Sequence, residues 1–181
     1  MTTTAPEPET AATSRPKPDF IVRAAELRDV APIVQMIREL AAFERLEHLM
    51  QATPEKLRPH LFGEKPAAEA MVAEVDGKAI AFALYFTNFS TFLAQPGLYL
   101  EDLYVQPAHR AKGVGEALLT RLAKLAVERG CGRFEWSVLD WNANAIRFYE
   151  RMGATMLPDW RICRITGDAL LDFVNNTLLP K

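Results

Sequence analysis

The chain has 181 residues, 21 of them Lys or Arg and 23 Asp or Glu, for a net charge of −2. That length suits one domain with one sizeable core, and 49% hydrophobic with 24% charged residues is ordinary globular composition. There is no basic surplus to hold nucleic acid by its phosphates, while the mild acidic balance permits a cationic substrate. The two cysteines, Cys131 and Cys163, form no CxxC pair, and no Cys/His cluster has zinc spacing, so no metal site is expected. Both are read as reduced and in or near the core, on strands or strand edges. No basic n-region opens the chain, and the longest apolar stretch, Ala79 to Phe86, is far short of the ~20 residues of a membrane helix. The expectation is a soluble, cytoplasmic protein with neither membrane nor nucleic-acid partner.

Residues 1–18 carry Pro6, Pro8, Pro16 and Pro18 among Thr, Ala and Glu, and read as a disordered leader before one domain, 19–181. Phe20–Arg23 reads as a short strand. Asp29 can cap a helix whose first turn tolerates Pro32, with Ile33, Met36, Ile37, Leu40 and Ala41 at helical spacing towards Glu44. Thr53-Pro54 starts a second helix, to about Phe62. Ala70–Val75 and Lys78–Phe86 form a hairpin about Asp76-Gly77. Residues 87–97 read as a loop, Leu98–Val105 as a strand carrying Glu101 and Asp102, and Gln106–Lys112 as another loop. A helix runs from Gly113 to about Arg129, striped by Val114, Ala117, Leu118, Leu122 and Leu125. Then come a strand, Arg133–Leu139, a helix, Asn142–Arg151, two short strands near Ala154–Leu157 and Arg161–Thr166, and a short helix within Asp168–Leu178. An antiparallel first half followed by alternating strands and helices implies a mixed α/β fold, its sheet antiparallel first and parallel later.

The most informative segment is Arg110-Ala111-Lys112-Gly113-Val114-Gly115-Glu116, between a strand and a long helix. Glycine lets backbone N–H groups approach an anion, and a helix amino end carries unpaired donors and partial positive charge. Together these make a pyrophosphate seat, to which Arg110 and Lys112 can add charge. Alone, RxxGxG is equally a tight strand-to-helix turn, and His109 is read as a loop residue. The segment is neither a Walker loop nor a Rossmann GxGxxG.

Its context is more specific. Tyr99-Leu-Glu101-Asp102-Leu103-Tyr104-Val105 leads into the glycine loop, and downstream stands Trp141-Asn142-Ala-Asn144-Ala-Ile-Arg-Phe148-Tyr149-Glu-Arg151-Met-Gly153-Ala154. The order and spacing of the two blocks resemble the GNAT acetyltransferases. Leu40-Ala-Ala-Phe-Glu44, Tyr99 to Asp102, Trp141-Asn142, Phe148-Tyr149 and Asp159-Trp160-Arg161 resemble its diamine (spermidine/spermine) branch, over about residues 20–175. Two departures stand out: residues 88–97 lack an acid of that branch, and Ala111 replaces a glycine often found in its phosphate loop.

The resemblance implies a GNAT fold, a central mixed and mostly antiparallel sheet splayed at the cofactor slot and flanked by helices. It implies acetyl-CoA as co-substrate, on the backbone of Leu103, Tyr104 and Val105, the loop from Arg110 to Glu116, Asn142, Tyr149 and Arg151. Tyr149 matches the general acid for the leaving thiolate; read by itself, it is equally a core tyrosine. Asn142 is a cofactor contact, a helix cap, or both. Glu101 is the preferred base or proton relay, and Glu44, Glu101 and Asp102 match acceptor contacts. Glu101 and Asp102, adjacent on a strand, point to opposite faces, and either is equally a solvated edge residue. Glu44 and Glu47 also fit an exposed helix end, and Trp160 and Arg161 a packing role. The expected activity is N-acetylation of a small primary amine by a homodimer: a polyamine, a diamine or a lysine-like amino acid. A protein amine or an aminoglycoside-like acceptor, or acyl-CoA binding without turnover, remain as alternatives.

Overall fold

The structure is a computed structural model and describes residues 19–176. The expected leader, residues 1–18, and the end of the last helix at Leu178 lie outside the described residues. The chain divides into two compact units, Met1–Ser137 and Val138–Lys181.

The first unit is built on a five-stranded sheet in the order β1-β2-β3-β4-β5: Ile21–Ala24, Glu69–Val75, Lys78–Ser90, Gln95–Val105 and Arg133–Trp136. The first four strands pair antiparallel and β4 pairs with β5 in parallel. The parallel step needs a crossover, supplied by α3, Val114–Glu128. Two helices precede β2: α1, Val30–Glu44, and α2, Pro54–Phe62. Thr53 caps α2 as its sequence predicts, its hydroxyl accepting from the Lys56 N–H at 3.3 Å.

One face of the sheet buries Ala70, Val72, Phe82, Leu84 and Tyr104 against Ile33, Met36 and Leu61 of α1 and α2. On α3, Leu118, Leu119 and Leu122 are buried. Arg129, just past the α3 end, grips Glu69 of β2 through two hydrogen bonds, at 2.5 and 2.7 Å.

The second unit holds α4, Ala143–Arg151, and α5, Asp168–Asn176.

Several expectations need correction. Residues 87–97 are not a loop: β3 and β4 pair out to Ser90↔Gln95, and the chain reverses over residues 91–94, with Ala94 at φ 51°. Thr87, Asn88 and Ser90 weaken the local strand signal, but backbone pairing across a long hairpin overrides side-chain preference. β5 stops at Trp136 instead of Leu139, where its pairing with β4 ends. Neither Ala154–Leu157 nor Arg161–Thr166 is a strand; among the described residues neither finds a partner strand, and without one an extended segment has no ladder. Cys131 follows α3 in a connection and is half-buried, whereas Cys163 is exposed, so the second does not lie in the core; both are free thiols.

Asp29 stands before α1 but does not cap it through its side chain. Its carboxylate instead accepts from the Glu26 N–H at 2.7 Å and from Arg23 at 2.6 and 2.9 Å, and Arg23 also reaches Glu74 on β2. Burial pushes the Asp29 carboxyl up, but Arg23 and the Glu26 amide outweigh it and hold it below its ordinary value. A depressed carboxyl stabilises the fold above its unfolded pKa and loses that stabilisation as pH falls through the folded one. Asp29→Ala should therefore cost about 2–3 kcal/mol at pH 7. In urea denaturation the gap to wild type should narrow as pH falls below the ordinary aspartate value of 3.8.

Candidate active site

Three of the expected groups, Glu101 and Asp102 of β4 and Glu44 at the end of α1, gather together. Leu84 of β3 faces Asp102, but the next residue, Tyr85, faces Leu100. Glu101 is thus an extra residue in β4, a β-bulge that breaks the strict alternation of faces and re-aims the side chains beside it. Glu101 is exposed and Asp102 half-buried. Asp102, paired with Leu84, lies on the sheet face that α1 and α2 cover, and Glu44 closes the last turn of α1.

Two of these acids act on the third. The Asp102 carboxyl is pushed up to about 6, first by burial, then by the charges of Glu101 and Glu44. Burial alone raises Glu44. The sequence points to Glu101 as the base, yet the carboxyl held nearest neutrality is that of Asp102. Adjacent acids look alike in sequence; only the bulge and the overlying helix tell them apart. Glu47 lies outside this group, exposed in a 3-10 turn after α1.

β4 pairs with β5 only over Gly97–Leu100. Beyond Leu100, among the described residues, no strand pairs with β4 on that side, so the Leu103–Val105 backbone presents a free edge able to accept an extended amide chain. This matches the expected splay.

The edge leads through a 3-10 turn, Pro107–His109, into the amino end of α3. Gly113 stands there at φ 80°, and a Cβ at that position would meet nothing within 4 Å, so the space before the helix is open. The amides at the start of α3 have no carbonyl four residues back, which suits a bound phosphate. Ala111 takes a left-handed φ of 59°, where a glycine would sit without steric cost. Ala111, Lys112 and Gly113 are exposed. Arg110 is placed differently from expectation: its Nε donates to the Val105 carbonyl at 2.9 Å and its guanidinium lies over the rings of Phe43 and Tyr104, at 5.6 and 5.4 Å. Lys112 is therefore the cation left for the phosphate side.

In the second unit, Asn142 caps α4, its Oδ1 accepting from the Ala145 N–H at 3.2 Å. Tyr149 is buried, with its ring 5.4 Å from that of Phe148. Arg151 donates to the Arg147 carbonyl at 3.2 Å. Trp160 and Arg161 are exposed, against the expected packing role. Among the described residues no group of His, Cys, Asp and Glu could hold a metal ion, and no helix is long and apolar enough to cross a membrane.

Sequence reasoning passed over one cluster on the same sheet face. Arg133 and Glu135 of β5 form an ion pair at 2.9 Å, and Asn88 donates to Glu135 at 3.3 Å. Asn88 and Glu135 come from β3 and β5, 47 residues apart, and no motif marks them.

Residues 34–154 match the acetyltransferase (GNAT) family. An L-ornithine N5-acetyltransferase of Arabidopsis thaliana is 36% identical over 93% of this chain and 95% of its own length. A thialysine N-epsilon-acetyltransferase of Mus musculus is 36% identical over 82% of this chain and 94% of its own. An integron cassette protein of V. cholerae superposes with a TM-score of 0.73 at 24% identity, covering 86% of this chain and 98% of that one, a likeness of fold.

A carboxyl with a raised pKa favours the fold while protonated and opposes it once ionised. Asp102→Asn should therefore stabilise the protein on the order of 1–2 kcal/mol at pH 8, after allowance for partial exposure, and by almost nothing at pH 4. Thermal melts of both proteins across that range check this.

Proposed function

Because the chain belongs to the GNAT family of acetyltransferases, we propose that it moves the acetyl group of acetyl-CoA to the primary amine of a small cationic acceptor. The observation that carries this reading is the half-buried Asp102, poised near neutrality between Glu44 and Glu101 at the end of the β4–β5 pairing. Members of this family take acetyl-CoA as co-substrate. The relatives named for ornithine and thialysine both point to an amine on a flexible aliphatic chain. A protein amine or an aminoglycoside-like acceptor is less favoured, since the two relatives at 36% identity are named for small amines.

The chemistry follows from these groups. The pyrophosphate rests on the α3 amides from Gly113 to Glu116 with Lys112, and the pantetheine arm lies along Leu103–Val105. Arg110 must yield the Val105 carbonyl or share it. An alkyl ammonium, with a pKa of about 10, has no lone pair, so its proton must leave before attack. Asp102, ionised above about pH 6, takes that proton directly or through water, with Glu101 beside it as the solvent-facing relay. The amine nitrogen then bonds to the thioester carbonyl carbon, the C–S bond breaks, and the nitrogen gives its second proton to water, from which the Tyr149 phenol is restored. Tyr149, placed by the Phe148-Tyr149 motif, protonates the leaving thiolate. Asn142 and Arg151 join the cofactor contacts on the same motif. Several carboxylates favour a cationic acceptor by Coulomb attraction in a partly desolvated site, which weakens with salt.

We extend the reading to a homodimer. Met156, Leu157, Trp160, Ile162 and Ile165 are exposed at 40–76%, a run of apolar side chains suited to a second copy. Two free thiols suit a reducing cytoplasm.

Acetyl-CoA should raise the melting temperature, and Gly113→Val should remove the shift by closing the phosphate seat. The absence of any shift at millimolar cofactor would overturn the assignment of this loop. With an amine acceptor, Tyr149→Phe should lower kcat by about 10²–10⁴-fold while the cofactor shift persists. Wild-type kcat/KM should fall as pH drops through about 6, and Asp102→Asn should be slow at every pH and lack that inflection.

A further inference from the structure

The sheet face that carries Asp102 continues past it. On β3, Leu84, Phe86 and Asn88 alternate onto one face, and their partners across the bulge are Asp102, Tyr99 and Gly97. β5 extends two of these rows, with Glu135 beside Tyr99 and Arg133 beside Gly97. Contacts confirm the shared face: Asn88 reaches Glu135, and a Cβ on Gly97 would stand 2.3 Å from Asn88 Oδ1 and 3.0 Å from Arg133 Cγ. Gly97 is thus required for Arg133 to lie flat across β4.

Along this face the row Leu84–Asp102 is followed by Phe86–Tyr99–Glu135, then Asn88–Gly97–Arg133. The Phe86 and Tyr99 rings lie 5.1 Å apart, and Tyr99 Oη is 2.9 Å from Ser137 Oγ. From Asp102 the Glu135 row is about 7–10 Å distant, two to three residues along a strand. The path therefore starts at a carboxylate, crosses two aromatic rings, and ends at two opposite charges.

Those end charges are not saturated. Arg133 Nη2 donates to the Phe89 carbonyl at 3.3 Å, and Nε lies 2.9 Å from Glu135 Oε2 but too poorly aligned to count as a hydrogen bond. Among the described residues Arg133 Nη1 and Glu135 Oε1 make no hydrogen bond, and Asn88 Oδ1 is buried without a partner. Each side chain of the pair is 34% exposed. A half-exposed ion pair of this kind contributes little to stability.

We propose that Arg133 and Glu135 form the acceptor subsite that reads an α-amino acid head group, so that the preferred acceptor is a diamino acid acetylated on its side-chain amine. This rests on the amine-acetyltransferase reading above and narrows its acceptor. The carboxylate meets the Arg133 fork, and the α-ammonium meets Glu135. The side-chain amine, four bonds from Cα in ornithine and five in lysine, or about 5–6 Å, extends over Phe86 and Tyr99 to Asp102. A zwitterion laid against an ion pair gains both contacts without adding net charge. A polyamine's distal ammonium gains Glu135 but is repelled by Arg133. The pair therefore selects against polyamines as well as for amino acids, which needs both an attractive and a repulsive element.

The test compares acceptors that share a reacting amine: ornithine against 1,4-diaminobutane, and lysine against 1,5-diaminopentane and lysine amide. Wild type should prefer each amino acid over its decarboxylated or amidated partner. Arg133→Gln should lower kcat/KM for the amino acids about 10–100-fold, through KM, and raise it for the diamines by about twofold or more, since the repelling charge is gone. Arg133→Lys, which keeps the charge but loses the fork, should fall between. Glu135→Gln should raise KM for amino acids and diamines alike, and leave lysine blocked at its α-nitrogen unaffected. Melting temperatures and the acetyl-CoA shift are followed for every variant. Equal wild-type use of ornithine and diaminobutane overturns the proposal, as does an equal loss for both in Arg133→Gln, while the acetyltransferase reading survives either result. Should the glutamine variant fail to fold, wild-type lysine against lysine amide still decides, since equal kcat/KM leaves no role for a carboxylate reader. An enzyme that shifts with acetyl-CoA but acetylates none of these amines overturns both readings of the acceptor.

Discussion

The site depends on where the pairing of β4 stops. Parallel strands share a ladder only while both run straight beside each other, and here the ladder ends at Leu100 and Trp136. Past that point the β4 backbone keeps β3 on one side and, among the described residues, has no strand on the other. Exposed edges are a hazard for most sheets, because any extended chain can add to them. Here the edge is short and leads straight to the amino end of α3, so strand-edge groups and helix amides follow one another along one track.

The bulge at Glu101 sits next to this break, and both serve one end. A regular strand would carry neighbouring acids to opposite faces. The extra residue leaves Glu101 exposed and Asp102 half-buried within range of its charge and that of Glu44. Desolvation and like charge then act together on a single carboxyl and bring it close to neutral pH. Such a group removes a proton from an ammonium more readily than an ordinary aspartate would, and stays ionised through most of the physiological range. The price is fold stability, since a carboxylate under a helix is worse than an amide there.

Charge elsewhere is used differently. Arg23, Asp29 and Glu74 tie β1, the start of α1 and β2 together, and Arg129 clamps Glu69. In both networks each ion has an opposite partner within hydrogen-bond distance. Among the described residues the acids around Asp102 have no such cation, and the Arg133–Glu135 pair is only half satisfied. Fully paired ions hold elements in place; underpaired ones are left for a ligand.

Much of this was legible in the sequence. The glycine loop before an apolar-striped helix, Thr53-Pro54, Asp76-Gly77 and the Asn142 cap are local signals, in which a residue type and its near neighbours fix the backbone, and each stands where its pattern predicts. The two motif blocks identified the family for the same reason, since their spacing belongs to contiguous chain. Tertiary structure decided the rest. The β3–β4 pairing through Thr87–Ser90 comes from a partner strand. The length of β5 is set by where β4 leaves it. The expected strands after Ala154 depended on a partner that their own residues could not name. Glu101 and Asp102 are equivalent in sequence, and burial, which belongs to the fold, separates them. Asn88, Gly97, Arg133 and Glu135 meet only because three strands lie side by side, and a row across a sheet leaves no trace along the chain.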